Sequence, residues 1–251
     1  MFILEKTYDY DEIVRNNMHT HSTFSLCSKP EMIFEDMVKA AEKAGLYTLA
    51  ITDHSDPGSD IDVLKNTLEL KERLKRLNTP VRVLIGAELS AYGEGLYADD
   101  DNLNSALDYR NYSQVHYHLS TWTQPEDRSP RGYAEDMLRV LSRLFDDGRA
   151  DCVAHPFCPS KLHFFNPDEK KQVLDSITDN ELGDILEKGE RSGCAWEVHS
   201  PSLMTYPDFI GRMFRMGKEA GVHFNFGTDA HSLSGIGTDG FAALLRKAAE
   251  G

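Results

Sequence analysis

At 251 residues, with 40% hydrophobic and 27% charged side chains, the chain has an ordinary globular composition and the length for one large α/β core. No apolar run approaches the ~18 residues of a membrane-crossing helix. The opening MFILEKTYDYDEIV lacks the basic stretch of a secretory leader, so neither membrane insertion nor export is expected. A net charge of −14 argues against a nucleic-acid partner, which needs a basic face, but not against a small anion held by divalent cations. Cys27, Cys152, Cys158 and Cys194 are scattered, with no Cys-x-x-Cys, as expected of free thiols in a reducing, cytoplasmic setting.

The predicted elements alternate strand and helix without a repeat, a low-complexity tract or a linker, so one domain over 1–251 is expected. A strand is predicted at 13–19 (IVRNNMH), then a helix from Pro30 to Gly45, with proline at its start and glycine past its end. A strand at 47–52 (YTLAIT) precedes a helix over 62–77, where Leu64, Leu68, Leu74 and Leu77 fall near helical spacing. The strand at 81–88 (VRVLIGAE) is followed by 89–112, which reads as a loop, and by a strand at 113–119 (SQVHYHL). Helix 132–148, strand 150–155, loop 156–170, helix 179–193, strand 194–199, helix 207–221, strand 222–228 and helix 240–250 complete the chain. Seven strands, most followed by helices, predict parallel crossovers and a single α/β barrel or sheet.

The strand ends carry the chemistry. His19 and His21 end the first strand, Asp53 and His54 follow the second, and Glu88 ends the third. His116 and His118 lie on the fourth, His155 ends the fifth, Glu197 and His199 lie on the sixth, and Asp229 and His231 follow the last. In a parallel barrel such residues gather at one face, and imidazole with carboxylate is the ligand set of zinc, iron and manganese. Residues i and i+2 of a strand share a face, so His19 and His21 can grip one ion, while Glu88 has two oxygens with which to bridge two. Taken singly these residues have plainer uses: a buried histidine is more often a hydrogen-bonded core residue, and Asp53 and Asp229 are placed as helix N-caps would be. His118, His163 and His223 are read as structural or surface residues. Seven strand ends with ligand-type residues favour one metal site.

In chain order, HTH at 19–21, ITDH at 51–54, GAE at 86–88, VH at 115–116, AHP at 154–156 and GTDAH at 227–231 resemble the PHP (polymerase and histidinol phosphatase) metal-dependent phosphoesterases, over nearly the whole chain. The resemblance implies a distorted, seven-stranded, TIM-like β/α barrel with two or three divalent ions, zinc, manganese or iron. It implies His19, His21, Glu88 and Asp229 on one ion, Glu88, His116 and His155 on a second, and His54 and His231 on a third. Leu26 and Cys27 stand where relatives carry a further His or Asp, which makes Cys27 a candidate thiolate ligand, with a buried neutral thiol as the alternative. His199 stands where relatives often carry Asn and is read with the substrate contacts. Lys161, Arg128 and Arg131 are the loop cations available to phosphate oxygens. Implied is hydrolysis of a small phosphate monoester, histidinol phosphate first, by a hydroxide held between the metals, with Glu88 and Asp229 as the catalytic carboxylates. The alternatives are a phosphodiesterase or nucleotide hydrolase with the same site, and a structural, non-catalytic module.

Overall fold

The structure, a computed structural model, describes residues 2–251. In chain order its strands are β1 (Asn16–Thr20), β2 (Thr48–Ser55), β3 (Arg82–Gly93), β4 (Leu96–Tyr97), β5 (Tyr109–Ser113), β6 (Cys152–Val153), β7 (Ala195–His199) and β8 (Phe224–Gly227). The α-helices are α1 (Tyr10–Ile13), α2 (Phe34–Lys43), α3 (Val63–Leu74), α4 (Asp101–Ala106), α5 (Pro130–Asp146), α6 (Pro167–Asp175), α7 (Asp179–Ser192), α8 (Ser200–Thr205), α9 (Pro207–Glu219) and α10 (Phe241–Glu250). Seven strands run parallel in the order β1-β2-β3-β5-β6-β7-β8, with β4 folded back antiparallel on β3. A parallel bridge from Thr20 to Ala230 brings the first edge to the last, so the sheet is a nearly closed barrel.

Alternation along each strand sorts the core into layers. Outward-facing Leu49, Ile51 and Ile85 pack on Phe34, Met37, Val38 and Ala41 of α2, which recur at the spacing of one helical face. Tyr112, Val153, Trp196 and Phe226 pack outward in the larger core that includes α5, α7 and α9 residues. Each such side chain, buried whole, contributes on the order of 1.5–3 kcal/mol. Inward-facing Met18, Ala50, Leu84, Tyr109, Cys152 and Ala195 form an apolar floor, covered from outside by Phe2, Ile3 and Leu4. That floor leaves the opposite end of the barrel as the polar one.

Four expectations need correction. The segment 156–170 is not all loop: a 3₁₀ turn at Pro159–Lys161 and the start of α6 at Pro167, under an Asn166 capping box, interrupt it. The helix after β1 begins at Phe34, not Pro30, because Met32 first turns back to bond Lys29 O and Ile33 takes the extended N-cap position. The fourth parallel strand is 109–113, not 113–119: YRNYS has the same alternation as SQVHYHL and is the segment that pairs with Gly86–Ser90. The HYH run lies beyond that strand, in turns such as Tyr117 N to Val115 O and Leu119 N to His116 O. Finally, 89–112 is not a loop, since β3 runs through Gly93, pairs with β4, and is followed by α4 under an Asp100 cap.

Candidate metal centre

The site starts with an irregularity. Asn17 pairs with Leu49 but Thr20 pairs with Ile51, so β1 spends three steps where β2 spends two. This bulge lets Met18 fill the floor while His19 and His21 both face the mouth, one layer higher. Asp53 anchors the turn that follows, accepting from Ser22 N (2.7 Å), Ser22 Oγ (2.6 Å) and Ser25 Oγ (2.7 Å). It is not a helix cap; Asp62 fills that role for α3.

Glu88, only 2% exposed, is the hub. Its Oε2 lies 2.9 Å from His54 Nδ1, 3.3 Å from His19 Nε2 and 3.6 Å from His21 Nε2. Its Oε1 faces the other way, 2.7 Å from His155 Nε2 and 3.4 Å from His116 Nε2. Asp229 adds Oδ1 at 2.9 Å from His21 Nε2 and 3.6 Å from His19 Nε2. Three groups of ligand atoms converge tightly enough to share an ion: His19, His21, Glu88 and Asp229; His54, Glu88 and His116; and His21, His54 and His231. The second differs from the expected trio of Glu88, His116 and His155 by placing His54 beside Glu88, with His155 reaching Oε1 from the end of β6, two strands along. Cys27 Sγ stands 3.1 Å from His231 Nε2 at the rim.

The polar atoms fit a cation better than they fit each other. His155 Nε2, His54 Nδ1 and Glu88 Oε1 lie close together, yet none has a hydrogen-bond partner in acceptable geometry. Buried lone pairs left unpaired in this way call for an occupant. Two of the residues hold unusual backbone to get there: His155 has φ 66° and Asp229 φ 53°, the left-handed region, at a cost of about 1–3 kcal/mol each. An N-cap takes the extended region, so Asp229 is not a cap either.

Charge is balanced within the cluster. Burial would raise the Glu88 and Asp229 carboxyls, but the imidazoles around them hold both well below their ordinary range. Burial would lower His19, but Glu197, Asp229 and Glu88 raise it well above its usual value, whereas burial and the neighbouring His54 push His21 well below. Burial would raise the Cys27 thiol, but hydrogen bonds from His231 and His54 bring it down to about 6.

The PHP domain family model matches residues 17–178. The chain belongs to the PHP domain family. Among solved structures it resembles the histidinol phosphate phosphatase of Lactococcus lactis, complexed with zinc, L-histidinol and phosphate, at a TM-score of 0.63 and 18% identity over 92% of both chains. The putative histidinol phosphatase of Listeria monocytogenes gives 0.63 and 15%, over 91% of this chain and 99% of that one. The metal-dependent tyrosine phosphatase structures of Bacillus subtilis and Streptococcus pneumoniae are matched at 0.50 and 20%, over 92% of this chain and 86% of that one. An uncharacterized protein of Methanocaldococcus jannaschii is 32% identical over 77 residues, 31% of this chain; the match spans about a third of that relative, 34% of its length. Identities this low establish the PHP fold alone. Asp229 and His231 lie beyond the matched stretch, and β8 returns them to it.

A cavity of about 320 Å³ opens over the cluster, and its lining includes the candidate ligands His54, His116 and His231 together with Asp56, His118 and Lys161. Lys161, in a 3₁₀ turn after the AHP motif, holds Nζ 3.5 Å from Asp229 Oδ2. His199 turns Nε2 toward Asp229 Oδ2 at 3.6 Å and is fixed through Nδ1 by Ser202 Oγ at 2.8 Å. Burial would lower His199, but the neighbouring Asp229 carboxylate and Cys158 push it up to about 9. His118, expected to be structural, lines the mouth stacked on His163, and burial pushes it down to about 4. His223 is away from the mouth, stacked on Phe2 and bonded to Glu190. Arg128 and Arg131 do not line the cavity: Arg128 bonds Gln124 and Tyr133, and Arg131 is committed to Glu135, Glu181 and Ser176 O. Two residues near the ligands had no assigned role. Glu197 bonds His19, and Asp56 accepts from Ser90 Oγ (2.7 Å) and lies 3.9 Å from His116 Nδ1. Glu197 shares its strand face with His199, two residues on, which is the sequence signal that collects it with the other strand-end residues.

The fate of Arg131 gives a test. Its hydrogen bond is the largest influence on Glu181, lowering that carboxyl from 4.5 to about 2. The folded value is depressed, so the pair stabilises the fold above about pH 4.5 and loses that effect as the pH falls toward 2. Arg131→Ala is expected to lower the urea midpoint at pH 7, by less at pH 3, and to leave KM for a phosphate monoester unchanged. A raised KM would put Arg131 back among the substrate contacts.

Proposed function

We propose that this protein is a metal-dependent phosphatase of small phosphate monoesters, working as one domain over 1–251 in the cytoplasm. The observation that carries this reading is the division of Glu88: one oxygen turned to His19, His21 and His54, the other to His116 and His155. A carboxylate so placed can bridge two ions, and the unpartnered nitrogens around it fit them. His19, His21, Glu88 and Asp229 would hold the innermost, Glu88 with His116 and His155 the next, and His54, His231 and Cys27 the outermost. Bound there, divalent ions supply Lewis acidity toward phosphoryl oxygens and acidify a water for attack on phosphorus.

The chain's own residues do the rest. Lys161 puts a fixed positive charge at the mouth, within reach of a phosphate oxygen that also meets the ions. His199, locked by Ser202, presents a buried, unpartnered Nε2 to the same space. About 320 Å³ admits one phosphate and a small leaving group, but no duplex, consistent with a chain of net charge −14. The Lactococcus lactis relative holds zinc, L-histidinol and phosphate, which makes histidinol phosphate the first substrate to try.

The experiment is kcat/KM across histidinol phosphate, sugar phosphates, nucleotides and a generic aryl phosphate, each with Zn²⁺, Mn²⁺ or Fe²⁺ supplied. Histidinol phosphate should exceed the aryl ester by at least about tenfold. Equal rates would remove the histidinol assignment, and hydrolysis of a diester but no monoester would remove the phosphatase reading.

A further inference from the structure

Beneath the ligand cluster lies one carboxylate that belongs to no ion group. Glu197 is 1% exposed, and its Oε1 lies 2.8 Å from His19 Nδ1. The other nitrogen of the same ring, Nε2, points up to Glu88 Oε2 at 3.3 Å and Asp229 Oδ1 at 3.6 Å. Glu197 Oε2 has no hydrogen-bond partner. The neighbouring strand is shaped around this contact. A Cβ on Gly227 would overlap Glu197 Oε1 and stand 2.7 Å from His19 Cβ, so only glycine admits the pair.

We propose that Glu197 is the positioning residue of His19: it accepts the Nδ1 proton, thereby reserving the Nε2 lone pair for the innermost ion, and brings a third buried negative charge to the site. The inference rests on the metal reading above. A neutral imidazole carries one N–H, and whichever nitrogen donates cannot also ligate. Without a strong acceptor at Nδ1, the proton is free to sit on Nε2 and bond Glu88 or Asp229, which would close the site to a cation. A carboxylate behind a ligating histidine also makes the ring a better donor. Burying Glu197 with one oxygen unpaired is costly by itself. Positive charge on the far side of His19 offsets that cost, so the carboxylate favours the loaded state over the empty one.

A role in packing alone and a role in ligand positioning differ in what they move. Glu197→Gln keeps the volume and removes the charge. We expect zinc affinity, read by competition with a chromogenic chelator, to fall about 10–100-fold, while the urea midpoint of the metal-free protein stays the same or rises. In the zinc-loaded wild type, ¹⁵N correlation spectra of the ring should show His19 protonated at Nδ1 and bare at Nε2. Undiminished zinc affinity in the glutamine variant, a metal-free midpoint that drops as far as the loaded one, or a His19 proton on Nε2 would each overturn the proposal. The spectrum needs no variant and stands even if the substitution impairs folding. A wild type that retains no zinc would instead bring down the metal reading, and this inference with it.

Discussion

Replacing Glu88 by glutamine should reduce kcat for the best monoester by on the order of 10²–10³ or more, with the fold retained. The carboxylate stands between five imidazoles, and its negative charge would screen ions held on either side of it from each other. Glutamine has nearly the same shape but only one acceptor oxygen and no charge, so one side of the bridge is lost. His118→Gln should change activity far less, through KM, because His118 lines the mouth and lies in none of the ion-holding groups. Elemental analysis beside the kinetics should find fewer ions in the Glu88 variant and the wild-type number in the His118 variant. Similar losses in two folded variants would place the bridge elsewhere.

Stripping the metal should be the other large effect. The empty site keeps Glu88, Asp229 and Glu197 buried among histidines with several lone pairs unpaired. Each ion bound at about 100 times its Kd adds roughly 2.7 kcal/mol, or roughly 5–10 °C in Tm at this chain length. Exposure sets the order of release. The side chains of His54 and His231 are 18% and 29% exposed, whereas His19 and His21 are fully buried, so a chelator should take the outer ion first. Titration with a chelator while following Tm and activity should therefore give at least two steps. A single step, or a metal-free protein as stable as the loaded one, would count against a multi-ion centre.

Much of this was legible in the chain, and the reasons are local. Strand ends in a parallel barrel converge whatever the loops do, so reading a histidine or carboxylate at each was enough to collect His19, His54, Glu88, His155 and Asp229. The fourth strand is less legible because YRNYS and SQVHYHL alternate equally well, and only pairing with Gly86–Ser90 decides between them. Arg128 and Arg131 lie away from the mouth for a different reason: a cation takes whichever acceptor the fold brings near, and for Arg131, in the first turn of α5, that is Glu181, fixed by the capping box of α7. The contact of Glu197 with His19 joins β7 to β1 past the intervening β8 at the seam, which no spacing along the chain records.

The seam between β1 and β8 bears on how the molecule comes apart. One parallel bridge, Thr20 to Ala230, joins the two edges, helped by His21 N to Ala230 O at 3.0 Å and Asn17 Nδ2 to Thr228 Oγ1 at 2.8 Å. Across it stand His21 and Asp229, 208 residues apart in the chain. The innermost candidate set is thus complete only when β8 docks on β1, a step expected to come late in a topology of distant pairings. An ion gripping both sides would act as a clasp on a long loop: it would leave the rate of folding almost untouched and slow the rate at which the barrel opens.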